Sequence, residues 1–231
     1  MSLLTDARDY EVVLDAARPG DFDGLAREAA RMAADGARYI VLDLPGEEVD
    51  ALAQATEGAG LTLLNATAPD DWLRRRCYPH LLHTAASDRM ISDALVQHLV
   101  LSKWDRVLVL RGKTERDATR AESFAASAAR FRLDIVDNRS FDLSTNPAQR
   151  EENNVKLLTA GTGDYDVTFI ADDVGEYSRY VPYRTTRPRP VTGATGLTPL
   201  EWHWSLERYG APQVNSRFEK LSEGGRRMTW Q

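Results

Sequence analysis

Short apolar runs alternate with amphipathic stretches along most of the chain, and this pattern predicts strands that alternate with helices. After Asp21, which can cap a helix, apolar residues recur at intervals of three and four until Gly36. This part of the chain predicts strands over 10–14, 38–42 and 61–64, and helices over 22–35 and 47–57. Such a succession builds a parallel sheet covered by helices.

A polar segment over 65–79, with a helical turn over 71–77, interrupts the pattern before it resumes. The second series predicts extended segments over 81–85, 106–110, 133–136 and 167–170, and helices over 90–101, 115–130 and 148–160. A further helix is predicted over 199–209, with Pro199 in its first turn. The fold class is therefore α/β, with two Rossmann-like lobes that each hold a parallel sheet. We expect residues 1–83 plus 198–231 in lobe 1 and residues 84–197 in lobe 2.

Composition supports a folded globular chain and argues against several partners. Of 231 residues, 42% are hydrophobic and 28% are charged, which excludes a disordered or collagen-like chain. The 29 lysines and arginines are outnumbered by 35 acidic residues, so the net charge is −6. A nucleic acid or an anionic membrane needs a basic face, so neither is expected as a partner. The start of the chain has no apolar run of the kind that secretory signals carry.

Motifs for catalysis are missing from the sequence. No glycine-rich phosphate loop follows a strand, no serine lies in a nucleophile elbow, and the four histidines lack the spacing of metal ligands. The chain is thus predicted to be a non-enzyme without a cofactor. An α/β enzyme, such as a hydrolase or a sugar-nucleotide enzyme, remains an alternative.

Acidic residues follow the strand 167–170, where ligands of open α/β sheets bind. Asp172, Asp173 and Glu176 could hold a metal ion or an ammonium group, or Asp172 or Asp173 could only cap the next short helix. The loops 43–46, 65–70 and 111–117 follow other strands and complete the expected ligand site. Because the first lobe offers acidic residues there too, the sequence predicts that a cationic group is preferred over a free carboxylic acid.

A basic segment that prolines interrupt follows residue 178 and cannot form a continuous helix. Its arginines are interleaved with Tyr180 and Tyr183. They are Arg179, Arg184, Arg187 and Arg189. Either they contact an anionic ligand or a transporter subunit, or the segment is an irregular or edge strand in solvent.

Several stretches resemble the type I periplasmic binding proteins of ABC transporters, the leucine/isoleucine/valine-binding group. They are the segment LLNATAP over 63–69, the strand, loop and helix RVLVLRGKTERDATRAESFAASA over 106–128, and the acidic end after VTFI. The stretch 195–220 and RRMTWQ at 226–231 resemble the substrate-binding-like protein associated with PQQ-dependent alcohol dehydrogenase systems. Relative to that family, a first β-α unit and the final helices are expected to be missing from this sequence.

The resemblance implies a periplasmic solute-binding protein that works with the membrane subunits of an ABC transporter and is linked to quinoprotein alcohol oxidation. The implied ligand is a small molecule or an ion between two lobes, which close on it by hinge motion. The matching ligand-binding positions are Pro45, Asn65, Thr67, Arg116, Asp172 and Asp173. A regulatory or interaction module that has kept the lobes and lost the ligand is the other alternative.

Overall fold

A computed structural model describes residues 18–142, 153–193, 202–203, 211–221 and 229–230. The chain divides after Asp88 into two compact units. Each unit has its own parallel sheet, so the series of strands do not form one continuous sheet, and the predicted α/β class with two sheets is confirmed. The predicted strand over 10–14 lies outside the described residues.

The first unit alternates helices and strands as the sequence predicts. Its elements are α1 (Phe22–Ala34), β1 (Tyr39–Leu42), α2 (Gly46–Ala55), β2 (Thr62–Asn65), α3 (Asp71–Arg75) and β3 (Leu81–His83). The three strands are parallel in the order β1-β2-β3. Asp21 caps α1 by accepting a hydrogen bond from the Gly24 amide, as its position before the helix predicts. Val49, Leu52 and Leu63 form the centre of the core.

The second unit holds a four-stranded sheet. Its elements begin with α4 (Asp88–Leu101), β4 (Arg106–Arg111), α5 (Glu115–Phe131) and β5 (Asp134–Ser140), and continue with α6 (Val155–Thr159), β6 (Val167–Ala171), a 3₁₀ helix (Ser178–Tyr183) and β7 (Val191–Gly193). The strands are parallel in the order β5-β4-β6-β7. Because the central strands are buried on both faces, they are apolar without alternation.

Alternate residues of β4 and β6 pack into two different cores. Val109 and Phe169 lie on one face with α5, where Phe169 stacks on Phe124 at a ring separation of 3.8 Å. Leu110 and Ile170 lie on the other face, in the core that includes residues of α6 and the 3₁₀ helix. The two cores hold β4 and β6 firmly, so the loops at their carboxyl ends start from fixed positions.

The end of the chain differs from the sequence prediction. Trp202–His203, inside the predicted helix over 199–209, forms strand β8, which pairs antiparallel with β9 (Thr229–Trp230). The prediction of a helix is wrong at these two residues, because aromatic residues also favour strands and a partner distant in sequence supplies the hydrogen bonds. Helix α7 (Ala211–Leu221) lies downstream, with Pro212 in its first turn.

The basic segment after residue 178 forms a 3₁₀ helix with Pro182 inside it, then an irregular stretch and the edge strand β7. This confirms that it is not a continuous helix. The membership of residues 198–231 in lobe 1 stays a prediction, since most of them lie outside the described part. Among the described residues, no helix combines the length and the apolar character needed to cross a bilayer.

Candidate functional site

The carboxyl end of β4 is the switch point of the second sheet. The chain goes from β4 to β5 on one side and returns to β6 on the other side. A crevice forms at such a point outside the carboxyl ends of the strands, and ligands of open α/β sheets bind there. A cavity of about 310 Å³ lies at this position in the second unit. Its lining residues are Arg111, Gly112, Lys113, Thr114, Ala118 and Ser140.

A capping box closes the amino end of α5 beside this cavity. The Thr114 hydroxyl accepts a hydrogen bond from the Asp117 amide at 3.0 Å, and the Asp117 carboxylate accepts one from the Thr114 amide at 3.1 Å. Asp117 is almost fully buried and also accepts the Asp173 amide at 2.7 Å. A single carboxylate therefore joins the loop after β4 to the loop after β6.

Gly112 is required by the close approach of Asp117. A Cβ atom at position 112 would lie 2.1 Å from Oδ2 of Asp117, which is far inside contact distance. The glycine thus lets the Asp117 carboxylate lie against the backbone of the loop that lines the cavity.

The cavity is lined by two cationic side chains. Arg111 is half-buried, and among the described residues no hydrogen bond or ion pair reaches its guanidinium. Lys113 is more exposed and donates to Oδ2 of Asp142 at 2.8 Å. One of these cations is thus partly shielded from water without a described partner, and an anion in the cavity would balance its charge.

The predicted acidic residues do not converge on a cation. Asp172 is 1% exposed, and its Oδ2 accepts the amides of Tyr177 and Ser178 at 2.9 and 2.8 Å. Burial raises the pKa of Asp172 above its ordinary value, although these hydrogen bonds act in the opposite direction. This geometry agrees with the alternative that Asp172 caps the following short helix.

Asp173 and Glu176 lie closer to solvent. Oδ1 of Asp173 lies 3.3 Å from a guanidinium nitrogen of Arg120, so an arginine balances this charge. Glu176 is half-buried. Within the described residues, no group of three histidine, cysteine or acidic side chains is arranged to hold a metal ion. Arg116, the other predicted residue of this unit, lies in the first turn of α5 and is half-buried.

In the first unit, Asn65 ends β2 and shapes the loop that follows it. Its side chain is completely buried, donates to the Ala68 carbonyl at 2.8 Å and accepts the Ala68 amide at 2.9 Å. Its amide nitrogen also lies 3.0 Å from Nδ1 of His83. Burial and the nearby Arg74 charge lower the pKa of His83. Thr67 is exposed in the same loop, and its amide donates to the Asn65 side chain.

Pro45 lies at the amino end of α2, where its carbonyl accepts the amides of Glu48 and Val49 at 3.0 Å. Its side chain is exposed. Glu48, which the sequence offers as an acid near the first-lobe ligand position, is buried and accepts the Gly20 amide at 2.9 Å. An open cavity of about 490 Å³ in this unit is lined by Trp72, Arg75 and Arg76.

The arginines of the basic segment contact groups of their own unit. Arg187 and Arg189 both pair with Asp164, Arg189 at 3.2 Å. The guanidinium groups of Arg179 and Arg184 lie 4.3 and 5.2 Å from the ring centroid of Tyr180. The Tyr183 side chain lies outside the described residues, and a role of this segment in anion or transporter binding stays a prediction.

Sequence reasoning indicated the loop 111–117 as part of the ligand site but did not single out Arg111, Lys113 or Ser140. The signal in the sequence was a pair of cations around a glycine, directly after a buried strand. Ser140 had no signal of its own, because only the pairing of β5 with β4 places it opposite Arg111.

No protein-family model matches the chain, and no curated protein matches it. Several solved structures do match the chain. An ABC transporter substrate-binding protein from Desulfitobacterium hafniense in complex with Leu has a TM-score of 0.58 at 16% identity; the match covers 94% of this chain and 66% of that one. A branched-chain amino acid ABC transporter periplasmic ligand-binding protein from Burkholderia xenovorans has a TM-score of 0.58 at 10% identity, over 90% of this chain and 60% of that one.

A third solved structure is an ABC transporter solute-binding protein from R. palustris in complex with benzoate, with a TM-score of 0.52 at 12% identity, over 86% of this chain and 59% of that one. The chain spans 59–66% of the length of these three solved proteins. The α/β fold with parallel sheets is thus that of the type I periplasmic binding proteins. At these identities the likeness establishes the fold alone.

Proposed function

We propose that this chain is the solute-binding component of an ABC transporter, that it acts in the periplasm, and that it is not an enzyme. The observation that carries the proposal is the cavity at the carboxyl end of β4, where the strand order changes direction. The solved neighbours are solute-binding proteins, and two of those described above hold a small molecule. Their fold and ligands support the proposal.

The ligand would contact side chains of the loop after β4. Arg111 and Lys113 supply charge, Thr114 and Ser140 supply hydroxyl groups, and Ala118 supplies an apolar surface. A few polar groups around a mostly preformed cavity are typical of small-molecule sites. In the first unit, Pro45, Asn65 and Thr67 stay proposed ligand positions, with Asn65 acting by holding its loop in shape. Arg116, Asp172 and Asp173 stay proposed positions of the second unit.

The partners would be the membrane subunits of the transporter. A link to PQQ-dependent alcohol oxidation rests on the resemblance of residues 195–220, most of which lie outside the described part. It predicts that an alcohol-derived metabolite, the quinone cofactor or a metal ion that serves such enzymes is among the ligands.

A regulatory or interaction module on the same fold is the second candidate. The observation behind it is that acidic residues of the loops and first helical turns after the strands are already engaged. Glu48, Asp117 and Asp172 all accept hydrogen bonds from backbone amides of their own unit. A module without a ligand would keep such contacts, because they hold the loops in place.

A thermal-shift screen of the complete protein tests the proposal. The compounds are amino acids, short-chain acids and amines, the quinone, phosphate, and calcium and lanthanide ions. A ligand that binds only the folded state raises Tm, and at about 100 times its Kd it adds about 2.7 kcal/mol of stability. We expect at least one compound to raise Tm. If none does, the interaction module is favoured and the solute-binding proposal fails.

A matched pair of variants on α5 then tests the location of the site. Ala118 lines the cavity and Ala126 is exposed on the same helix, so Ala118→Leu fills the cavity while Ala126→Leu makes the same change elsewhere. We expect Ala118→Leu to remove the shift and Ala126→Leu to keep it. If both variants keep the shift, the ligand binds away from this cavity.

A further inference from the structure

The charges around the cavity of the second unit restrict the kind of ligand that it can hold. The protein as a whole is acidic, with a net charge of −6. The positive charge at this cavity therefore differs in sign from the net charge of the chain. The cavity nevertheless places Arg111 and Lys113 together at the end of one strand. Three acids near these cations, Asp117, Asp142 and Asp173, already have polar partners.

Three carboxylates near the cavity have partners of their own. Asp117 accepts the amides of Thr114 and Asp173, and Asp173 pairs with Arg120. Asp142 pairs with Lys113 at 2.8 Å, on the exposed side of the site. Arg111 is left half-buried with no partner for its guanidinium among the described residues. A half-buried cation of this kind is stabilised by an anion that enters the cavity.

We propose that the cavity binds the carboxylate of a small organic acid, with Arg111 as its principal partner and Lys113 as a second cation. The inference rests on the proposed solute-binding function and specifies its ligand class. An arginine presents its donors as a planar fork that matches the two oxygens of a carboxylate. Ser140 and Thr114 lie beside it and add hydroxyl groups.

The amino end of α5 favours a carboxylate over a phosphate. Phosphate sites at helix ends use several free backbone amides of the first turn. Here the amides of Thr114 and Asp117 are taken by the capping box. The capping box therefore leaves fewer amides of this helix end for a phosphate, while Arg111 and Lys113 supply side-chain cations. Its volume of about 310 Å³ fits a small ligand, at the lower end of the usual range of roughly 300–1,000 Å³.

The proposed ligand is an anion, whereas the sequence analysis predicts a ligand with a cationic group. That expectation assumes that Asp172 and Asp173 present free charge to the ligand. Asp172 is instead buried against the amides of Tyr177 and Ser178, and Asp173 lies beside Arg120. A cationic ligand is therefore the competing outcome of the test.

The test compares ligands that differ only in the charge of one group. Butyrate, butyramide and butylamine, together with succinate, inorganic phosphate and calcium chloride, are titrated into the complete protein by calorimetry, and Tm is recorded for each. We expect butyrate or succinate to bind at least ten times more tightly than butyramide and butylamine. Added salt should weaken this binding, because it screens the charges.

Three variants locate the carboxylate. Arg111→Ala should weaken carboxylate binding at least tenfold, and Arg111→Lys should weaken it less, because lysine keeps the charge and loses the fork. Arg27 is exposed on α1 in the first unit, so Arg27→Ala removes one positive charge without touching the cavity and should leave binding unchanged. Arg111→Gln serves in place of Arg111→Ala if the alanine variant does not fold by circular dichroism.

The outcomes separate this inference from the function on which it rests. Binding of butylamine, calcium, phosphate or only neutral solutes, without binding of either carboxylate, overturns the ligand class and leaves a solute-binding protein. Carboxylate binding that is equal in the wild type and in Arg111→Ala overturns the assignment to this cavity. If no compound of the wider screen raises Tm, both the ligand class and the proposed function fail.

Discussion

At the scale of single residues, the polar side chains at the strand ends hold loops in place. Asn65 bonds to both the amide and the carbonyl of Ala68, and Asp172 accepts two amides at the start of the 3₁₀ helix. Both side chains are buried. An unpaired polar group at such a depth costs about 1–3 kcal/mol, so these contacts define the loops that surround any ligand.

The carboxylate of Asp172 gives stability a dependence on pH. Because burial raises its pKa in the folded protein, the folded state binds a proton more readily than the unfolded chain does. The stability that this raised pKa contributes is therefore fully present below the ordinary aspartate pKa of about 3.9. It is lost as the pH rises through the pKa that Asp172 has in the folded protein. Asp172→Asn keeps an oxygen acceptor for the Tyr177 and Ser178 amides and has no charge to bury.

We expect the unfolding free energy of Asp172→Asn, relative to wild type, to increase as pH rises from about 4. Asp172→Ala leaves two buried amides without their acceptor and should lose about 1–3 kcal/mol at neutral pH. Urea unfolding at a series of pH values measures both effects. A difference between Asp172→Asn and wild type that does not change with pH would contradict the buried-carboxylate account.

At the scale of elements, the predictions were best where burial is strongest. The apolar runs over 106–110 and 167–170 match β4 and β6 to within one residue, because both strands are covered on two faces. Strand β5 is longer than its apolar run, since Asp137, Asn138 and Arg139 continue the pairing with β4 at the edge of the sheet. Backbone hydrogen bonds to β4 thus extend this edge strand beyond its apolar residues.

The capping box of α5 leads to a prediction for this helix. Thr114→Ala removes the hydroxyl that accepts the Asp117 amide and should lower the unfolding free energy by about 1 kcal/mol, measured by urea unfolding. Thr114→Ser keeps the hydroxyl and is the matched control, so most of the stability should remain. Equal losses in both variants would show that the threonine methyl group, rather than the cap, contributes the stability.

At the scale of the whole molecule, each unit carries a core of its own. Leu63 is completely buried among α1, α2 and their sheet, and Phe124 is completely buried against β4 and β6. Phe124 also stacks on Phe169 with the ring planes 9° apart. These residues hold each sheet against its helices, and the cavity after β4 depends on the second of these cores.

Truncation of either core residue should strongly destabilise its unit. We expect Phe124→Ala to cost about 3–5 kcal/mol and Leu63→Ala about 2–5 kcal/mol, because each leaves a cavity in a packed interior. Leu101→Ala is the control, since this leucine is 83% exposed at the end of α4 and should change stability little. Urea unfolding measures all three, and a small loss in Phe124→Ala would contradict the packing described for the second unit.

The sequence by itself determined the α/β class, the order of most helices and strands, and the loops where a ligand is expected. These features follow from local patterns, because the spacing of apolar residues records which face of each element is buried. The cap of α1 at Asp21 was also predictable in this way, and the predicted ends of β2 and β6 lie within one residue of the observed ends at Asn65 and Ala171.

Only the tertiary structure decided which polar side chains already have hydrogen-bond or ion-pair partners within the protein. The Asp117 carboxylate meets the Asp173 amide across 56 residues of sequence, and Asp142 reaches Lys113 across 29. Such contacts depend on how the chain returns to the sheet, which local periodicity does not record. For that reason the sequence left open whether the acids after β6 bind a ligand or cap a helix, whereas our proposal places the ligand at Arg111, whose charge no described neighbour balances.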